Sequence, residues 1–307
     1  MSHREEGWNW ILAVDFFFAG MGGAMLVIAG IIDLFAAGGQ TSLLGNFLGP
    51  VFMSVGSGIL IFDLGRPFQA WRVFMNPKAI LTVGARVMTL SIIAGLAYTS
   101  FGLSMLPWSG WIAVRKILAV VCILTGLVVA IYPSFVLGRN KGRPFWSGSG
   151  MMGLFLISSF ATGLAAHILS GMILPPAAPE ALGSFPGLTA LLLACQLLFW
   201  VGYLWTKLSG ATAPEKEAAQ KWINGKFAAP FKNGFILAGT VAPMILILTP
   251  VTLCQALGAL LVLAGGLVMR VLVVYAGEDR TLLPGEKRYR SRLPKGDEAF
   301  LKAWNNK

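Results

Sequence analysis

The stretch "RKILAVVCILTGLVVAIYPSFVLG", Arg115 to Gly138, decides the fold. After two cations it continues to Gly138 without a charge, and its apolar residues do not alternate with polar ones as a half-buried strand requires. With the residues just before it, at 1.5 Å of rise per residue, it is long enough to cross the roughly 30 Å hydrocarbon layer of a bilayer as a helix. Runs of the same kind recur near 8–34, 43–63, 79–103, 150–174, 187–206, 233–253 and 255–277, which with 112–137 makes eight helices. The narrowest junction is "TPVTLCQ" at Pro250, between the last two. Only 12% of residues are charged, about half the usual share in a soluble domain, so the sequence reads as an all-α integral membrane protein.

Charge orients it. The loops 64–78, 138–149 and 207–232 and the tail 278–307 are basic, whereas the alternate connections near 35–42, 104–111, 175–186 and 254 have almost no Lys or Arg beyond Arg115 and Lys116. By the positive-inside rule both termini are expected in the cytoplasm. The net charge of +11 is then a topology signal, with contact to anionic lipid. No basic stripe is interleaved with stacking aromatics, which argues against a nucleic-acid partner. Met1 to Gly7 carries both signs of charge and no cleavage site follows, so the first helix is expected to stay as an anchor. The expected organisation is two four-helix bundles, 1–140 and 141–277, divided at "LGRNKGRPFWSGSG", then a cytoplasmic tail, 278–307. Within 207–232, "APEKEAAQKWINGKF" has the spacing of a short surface helix.

Cys122, Cys195 and Cys254 sit singly in different helices, without metal or iron–sulfur cluster spacing. The only histidines are His3, outside the membrane, and His167, so a bis-histidine haem is excluded. Electron chemistry in this protein therefore requires an organic carrier or a partner's cofactor.

Ionisable groups inside a membrane are costly and mark candidate sites. Here they are Asp15, Asp33, Asp63, Arg86, Arg115, Lys116, His167 and Arg270, with the phenols Tyr132 and Tyr275. Counting along the helices places Asp15, Arg86, Tyr132 and Arg270 at one depth near the cytoplasmic face. The turn "LIFDLGRPFQAW", Leu60 to Trp71, sets Asp63 and Arg66 at the same level, as a helix stop and as the rim of a site. A phenol, a carboxylate and an arginine at shallow depth suit a quinone head group, whose two-electron reduction takes up two protons. Asp33 and His167 in the outer half are candidates for a proton path, and Arg115 with Lys116 reads as a snorkelling helix end. Two other readings use the same residues: a proton or solute transporter with a path through Asp33, His167, Arg115 and Lys116, and a passive anchor for a redox complex. In "FFFAGMGGAMLVIAGIID", Gly20, Gly23 and Ala24 permit close helix packing, or room for a flat ligand.

The glycine-rich "DFFFAGMGGAM", the turn "DLGRP", "NPKAILTVGA", the helix quoted at the outset and "GGLVMRVLVVYAG" together resemble the NrfD-like family, the membrane subunits of polysulfide reductase and related complexes. The resemblance implies an eight-helix subunit of a respiratory oxidoreductase in a bacterial or archaeal inner membrane. Such a subunit exchanges electrons between a quinone, menaquinone or ubiquinone, and a ferredoxin-like iron–sulfur partner, itself joined to a molybdopterin catalytic subunit. It further implies that Tyr132 is a quinone contact and that Asp15 stands where the first helix supplies polar ligands. Combined with the charge pattern, it places the redox partner on the cytoplasmic side.

Overall fold

In hydrocarbon every backbone N–H and C=O must find a partner within its own segment or in a closed barrel, so apolar runs of this length fold as helices. A computed structural model of the protein describes residues 9–36, 41–63, 67–75, 80–140, 142–148, 150–174, 182–209 and 212–278. The elements are α1 (Trp10–Phe35), α2 (Leu43–Asp63), a 3-10 segment (Pro67–Met75), α3 (Ile80–Ser100), α4 (Ile112–Gly138), α5 (Gly150–Ile173) and α6 (Phe185–Ser209). They continue with α7 (Ala213–Ile223), α8 (Pro230–Ile247) and α9 (Thr252–Tyr275). All the helices but α7 are long and apolar enough to cross a membrane, giving the eight spans expected. There is no strand among the described residues. The connection at Pro250 is a short turn, as its sequence allowed.

Helix α1 is the most buried span and packs against α2, α4, α5 and α9. Its glycines bring the backbones together: a methyl group on Gly23 would lie 2.8 Å from the Gly126 carbonyl oxygen of α4, and one on Gly22 would lie 2.4 Å from that of Gly49 in α2. Small-residue contacts of this kind are how membrane helices associate without a hydrophobic driving force. The register is antiparallel between α1 and α4: Asp15 lies by Tyr132, Gly23 by Gly126 and Asp33 by Arg115.

Helix α8 is wide in its first part, with π-helical geometry over Pro230–Val241. Pro243 has no N–H to give the preceding turn, and the Thr240 hydroxyl bonds back to the Phe235 carbonyl at 2.9 Å. This geometry leaves Gly239 against Gly265 of α9.

The sequence reads 138–149 as a basic connecting loop, and its described residues after Gly138 do form an irregular connection between α4 and α5, but one that is packed into the protein. Phe145 and Trp146 are fully buried. The Trp146 indole N–H donates to the Val273 carbonyl at 2.7 Å, and Phe145 stacks on Trp222 of α7 with ring centroids 4.6 Å apart. The expected surface helix is present as α7, held down by Ala218, Ala219 and Trp222.

Candidate functional site

Two of the candidate residues meet in a narrow cleft of about 20 Å³ between α1, α3 and α4. Asp15 and Tyr132 line it with Phe16, Gly84, Met88 and Pro133. Asp15 Oδ1 and the Tyr132 hydroxyl are both buried and have no hydrogen-bond partner among the described residues. Buried polar atoms are nearly always paired, so two unpartnered polar atoms on residues that line one cleft leave bonding capacity open there.

Local sequence explains why the cleft lies here. Gly84 has no side chain, and a methyl group on it would come within 2.2 Å of the Tyr132 ring, so the ring packs closely against the α3 backbone. Pro133, directly after Tyr132, removes the backbone donor that would reach Val129 and so loosens α4 at this level. On the other side Asp15 is pressed against α2, where a methyl group on Gly56 would lie 3.2 Å from Oδ1. Sequence reasoning missed Gly56, Gly84, Met88 and Pro133, because glycine and methionine carry no chemistry of their own. The signal for Gly84 was its position in "NPKAILTVGA", at the depth of Tyr132.

Arg86 and Arg270 share the depth but not the cleft. Arg86 is exposed on the far side of α3, where its Nη2 donates to the Phe74 carbonyl at 3.0 Å. With the Thr82 hydroxyl, which donates to the Val73 carbonyl at 2.6 Å, it ties the 3-10 segment to α3. Arg270 is buried in α9, donating through Nη2 to the Ser159 hydroxyl at 2.9 Å and the Phe155 carbonyl at 3.2 Å of α5, with its guanidinium over the Phe155 ring. Asp63 ends α2, but its side chain and the whole of Arg66 lie outside the described residues.

At the opposite end of the spans, Asp33 is fully buried and pairs with Arg115, Oδ1 to Nη2 at 2.9 Å. The sequence reading of Arg115 as a snorkelling cation is therefore corrected, since its guanidinium turns inward to a carboxylate. The sequence put both residues at the same end of the spans, but that α1 and α4 are neighbours is seen only in the structure. His167 is also fully buried and lies elsewhere, with Nε2 3.0 Å from the Met25 carbonyl oxygen. A carbonyl only accepts, so Nε2 carries the proton and Nδ1 is left as an acceptor without a partner among the described residues. Asp33 and His167 thus belong to two separate polar groups on different faces of α1.

Among the described residues no group of three His, Cys, Asp or Glu is placed to hold a metal ion. A cleft with one phenolic donor and one carboxyl, walled by apolar side chains, can bond a small carbonyl compound and exchange a proton with it.

Similarity to known proteins runs along nearly the whole sequence. The profile of the family described as "Polysulphide reductase, NrfD" matches residues 3–280. The C subunit of polysulfide reductase from Wolinella succinogenes is 28% identical over 311 residues, covering 88% of this protein and 94% of that one. Protein NrfD of Escherichia coli is 20% identical over 324 residues, covering 88% and 95%.

Proposed function

Because the protein belongs to the NrfD polysulphide reductase family, whose members are membrane anchors of redox complexes, we propose that it exchanges electrons between a membrane quinone and an iron–sulfur partner subunit. The observation that carries this reading is the pair of unpartnered buried atoms, Asp15 Oδ1 and Tyr132 OH, on two residues that line one cleft. Reduction of a quinone supplies two carbonyl oxygens that each take up a proton. Tyr132 donates its O–H to one of these oxygens and fixes the ring. Asp15 holds the proton that is exchanged, and its place near the N-terminal end of α1 gives that proton a short route to water. The donor set fits the ligand, while the cleft as it stands is the size of a single water molecule. Met88, unbranched and adaptable, is the wall that yields when a ring enters.

Arg86 acts by holding the 3-10 segment, and Asp63 with Arg66 forms the rim at which the partner docks. The basic loops support an arrangement in which that rim and both termini lie on the cytoplasmic side of an inner membrane. A molybdopterin subunit bound through the iron–sulfur subunit completes the respiratory complex.

The test is to isolate the tagged protein from its native membrane in mild detergent and measure iron, sulfide, molybdenum and quinone together. Recovery with an iron–sulfur subunit and with menaquinone or ubiquinone is expected. Recovery of the protein alone, free of quinone, contradicts the reading. Reporter fusions at both termini that score as external overturn the orientation.

A further inference from the structure

A second recess, of about 940 Å³, opens between the start of α5, the end of α6 and α7, away from the Asp15–Tyr132 cleft. Its deep wall is apolar and faces the membrane: Leu198 is 72% and Phe199 45% exposed, and Gly202 leaves a gap between them and the mouth. Its mouth is polar, formed by Ser147, Thr206, Lys207 and Glu215. Lys207 lies two residues before the end of α6, and Leu198 lies about 13 Å deeper at the helical rise per residue. Trp205, 70% exposed, marks the same boundary level, where amphipathic rings settle between headgroups and hydrocarbon. Apolar depth under a polar mouth at the membrane boundary is the shape of an amphiphile site.

The charges at the mouth select the headgroup. The Lys207 ammonium is buried and has three N–H donors. It faces the carbonyls of Pro144 at 3.0 Å and Ser147 at 2.5 Å, the Ser147 hydroxyl at 2.8 Å and Glu215 Oε1 at 2.8 Å. No donor is left over for a phosphate. The Glu215 side chain is 20% exposed and carries a carboxylate, so what the mouth offers a ligand is an acceptor. We infer that this recess binds a glycerophospholipid with an ammonium headgroup, the ammonium at Glu215 and an acyl tail running past Gly202 along Leu198 and Phe199.

Gly202 gives the cleanest test, because it lines the recess and a Cβ built there meets nothing within 4 Å, so a larger residue starts from open space. The full-length protein, purified and stripped of lipid, is mixed with phosphatidylethanolamine or phosphatidylglycerol of matched acyl length, and bound lipid is counted by native mass spectrometry. The wild type is expected to retain phosphatidylethanolamine over phosphatidylglycerol by about five-fold, and Gly202→Leu to lose that retention by a similar factor with an unchanged melting temperature. Glu215→Gln leaves the Lys207 charge uncompensated and is expected to turn the preference towards phosphatidylglycerol. Equal retention of the two lipids by the wild type, or undiminished phosphatidylethanolamine on Gly202→Leu, overturns the proposal.

Discussion

Tyr132 and Asp15 come from antiparallel helices to line one cleft, and neither the buried Tyr132 hydroxyl nor the buried Asp15 Oδ1 has a hydrogen-bond partner among the described residues. An acid and a phenol left so are poor for stability and useful for a ligand that brings its own acceptors. Buried groups without partners cost about 1–3 kcal/mol each, so their retention needs a reason beyond folding.

The Gly84 contact gives the first prediction. A methyl group there overlaps the Tyr132 ring at 2.2 Å, against a helix backbone that cannot withdraw. Gly84→Ala is expected to lower stability by about 1–3 kcal/mol, the usual range for overpacking, and to turn the phenol out of the cleft. Melting in detergent together with quinone-dependent turnover of the complex checks this. A variant with normal melting and normal turnover contradicts the packing described.

The pair Asp33–Arg115 gives the second. Arg115→Gln strands a fully buried carboxylate and is expected to cost about 3–5 kcal/mol, whereas the double variant Asp33→Asn, Arg115→Gln recovers most of that loss. A double-mutant cycle on melting temperature measures it. Additive effects of the two single changes would show that the residues are not coupled, and would return Arg115 to the role of a snorkelling end.

A third prediction concerns pH. Burial pushes the Glu215 carboxyl up, but hydrogen bonds from Lys207 and Ser147 and the charge of Lys207 outweigh it, so its pKa falls below the ordinary value of 4.5. A carboxyl with a depressed folded pKa adds stability that is complete above its unfolded pKa and is lost as pH falls through the folded value. The loss of melting temperature on acidification below 4.5 is therefore expected to be smaller in Glu215→Gln than in the wild type. Identical acid profiles for the two proteins count against the contact.

The eight spans could be read from the sequence because run length determines them, and counting along the helices set Asp15 and Tyr132 at one level, where they line one cleft. Which residues meet could not be read there, because depth along a helix says nothing of rotation about its axis. Arg86 shows why. At about 100° per residue it stands roughly 200° from Gly84, so the same helix that offers Gly84 and Met88 to the cleft carries Arg86 away from it. The pairing of Asp33 with Arg115 needed the antiparallel register of α1 and α4, which Gly23 and Gly126 determine by backbone contact. The burial of Phe145 and Trp146 was hidden by their setting in a run of basic and glycine residues that resembles any cytoplasmic loop.

Tyr132→Phe removes one buried oxygen that makes no hydrogen bond to the described residues, so it is expected to leave melting undiminished or raised. Loss of one positioned hydrogen-bond donor to an oxygen that gains negative charge typically slows a reaction by about a hundred-fold or more. The decisive measurement is quinol–acceptor turnover by membranes containing the intact complex with this single change, at matched amounts of the subunit. A fall of about two orders of magnitude with undiminished melting is the result expected of a quinone site at Asp15 and Tyr132. Full turnover by Tyr132→Phe would contradict it and leave the protein as a passive anchor.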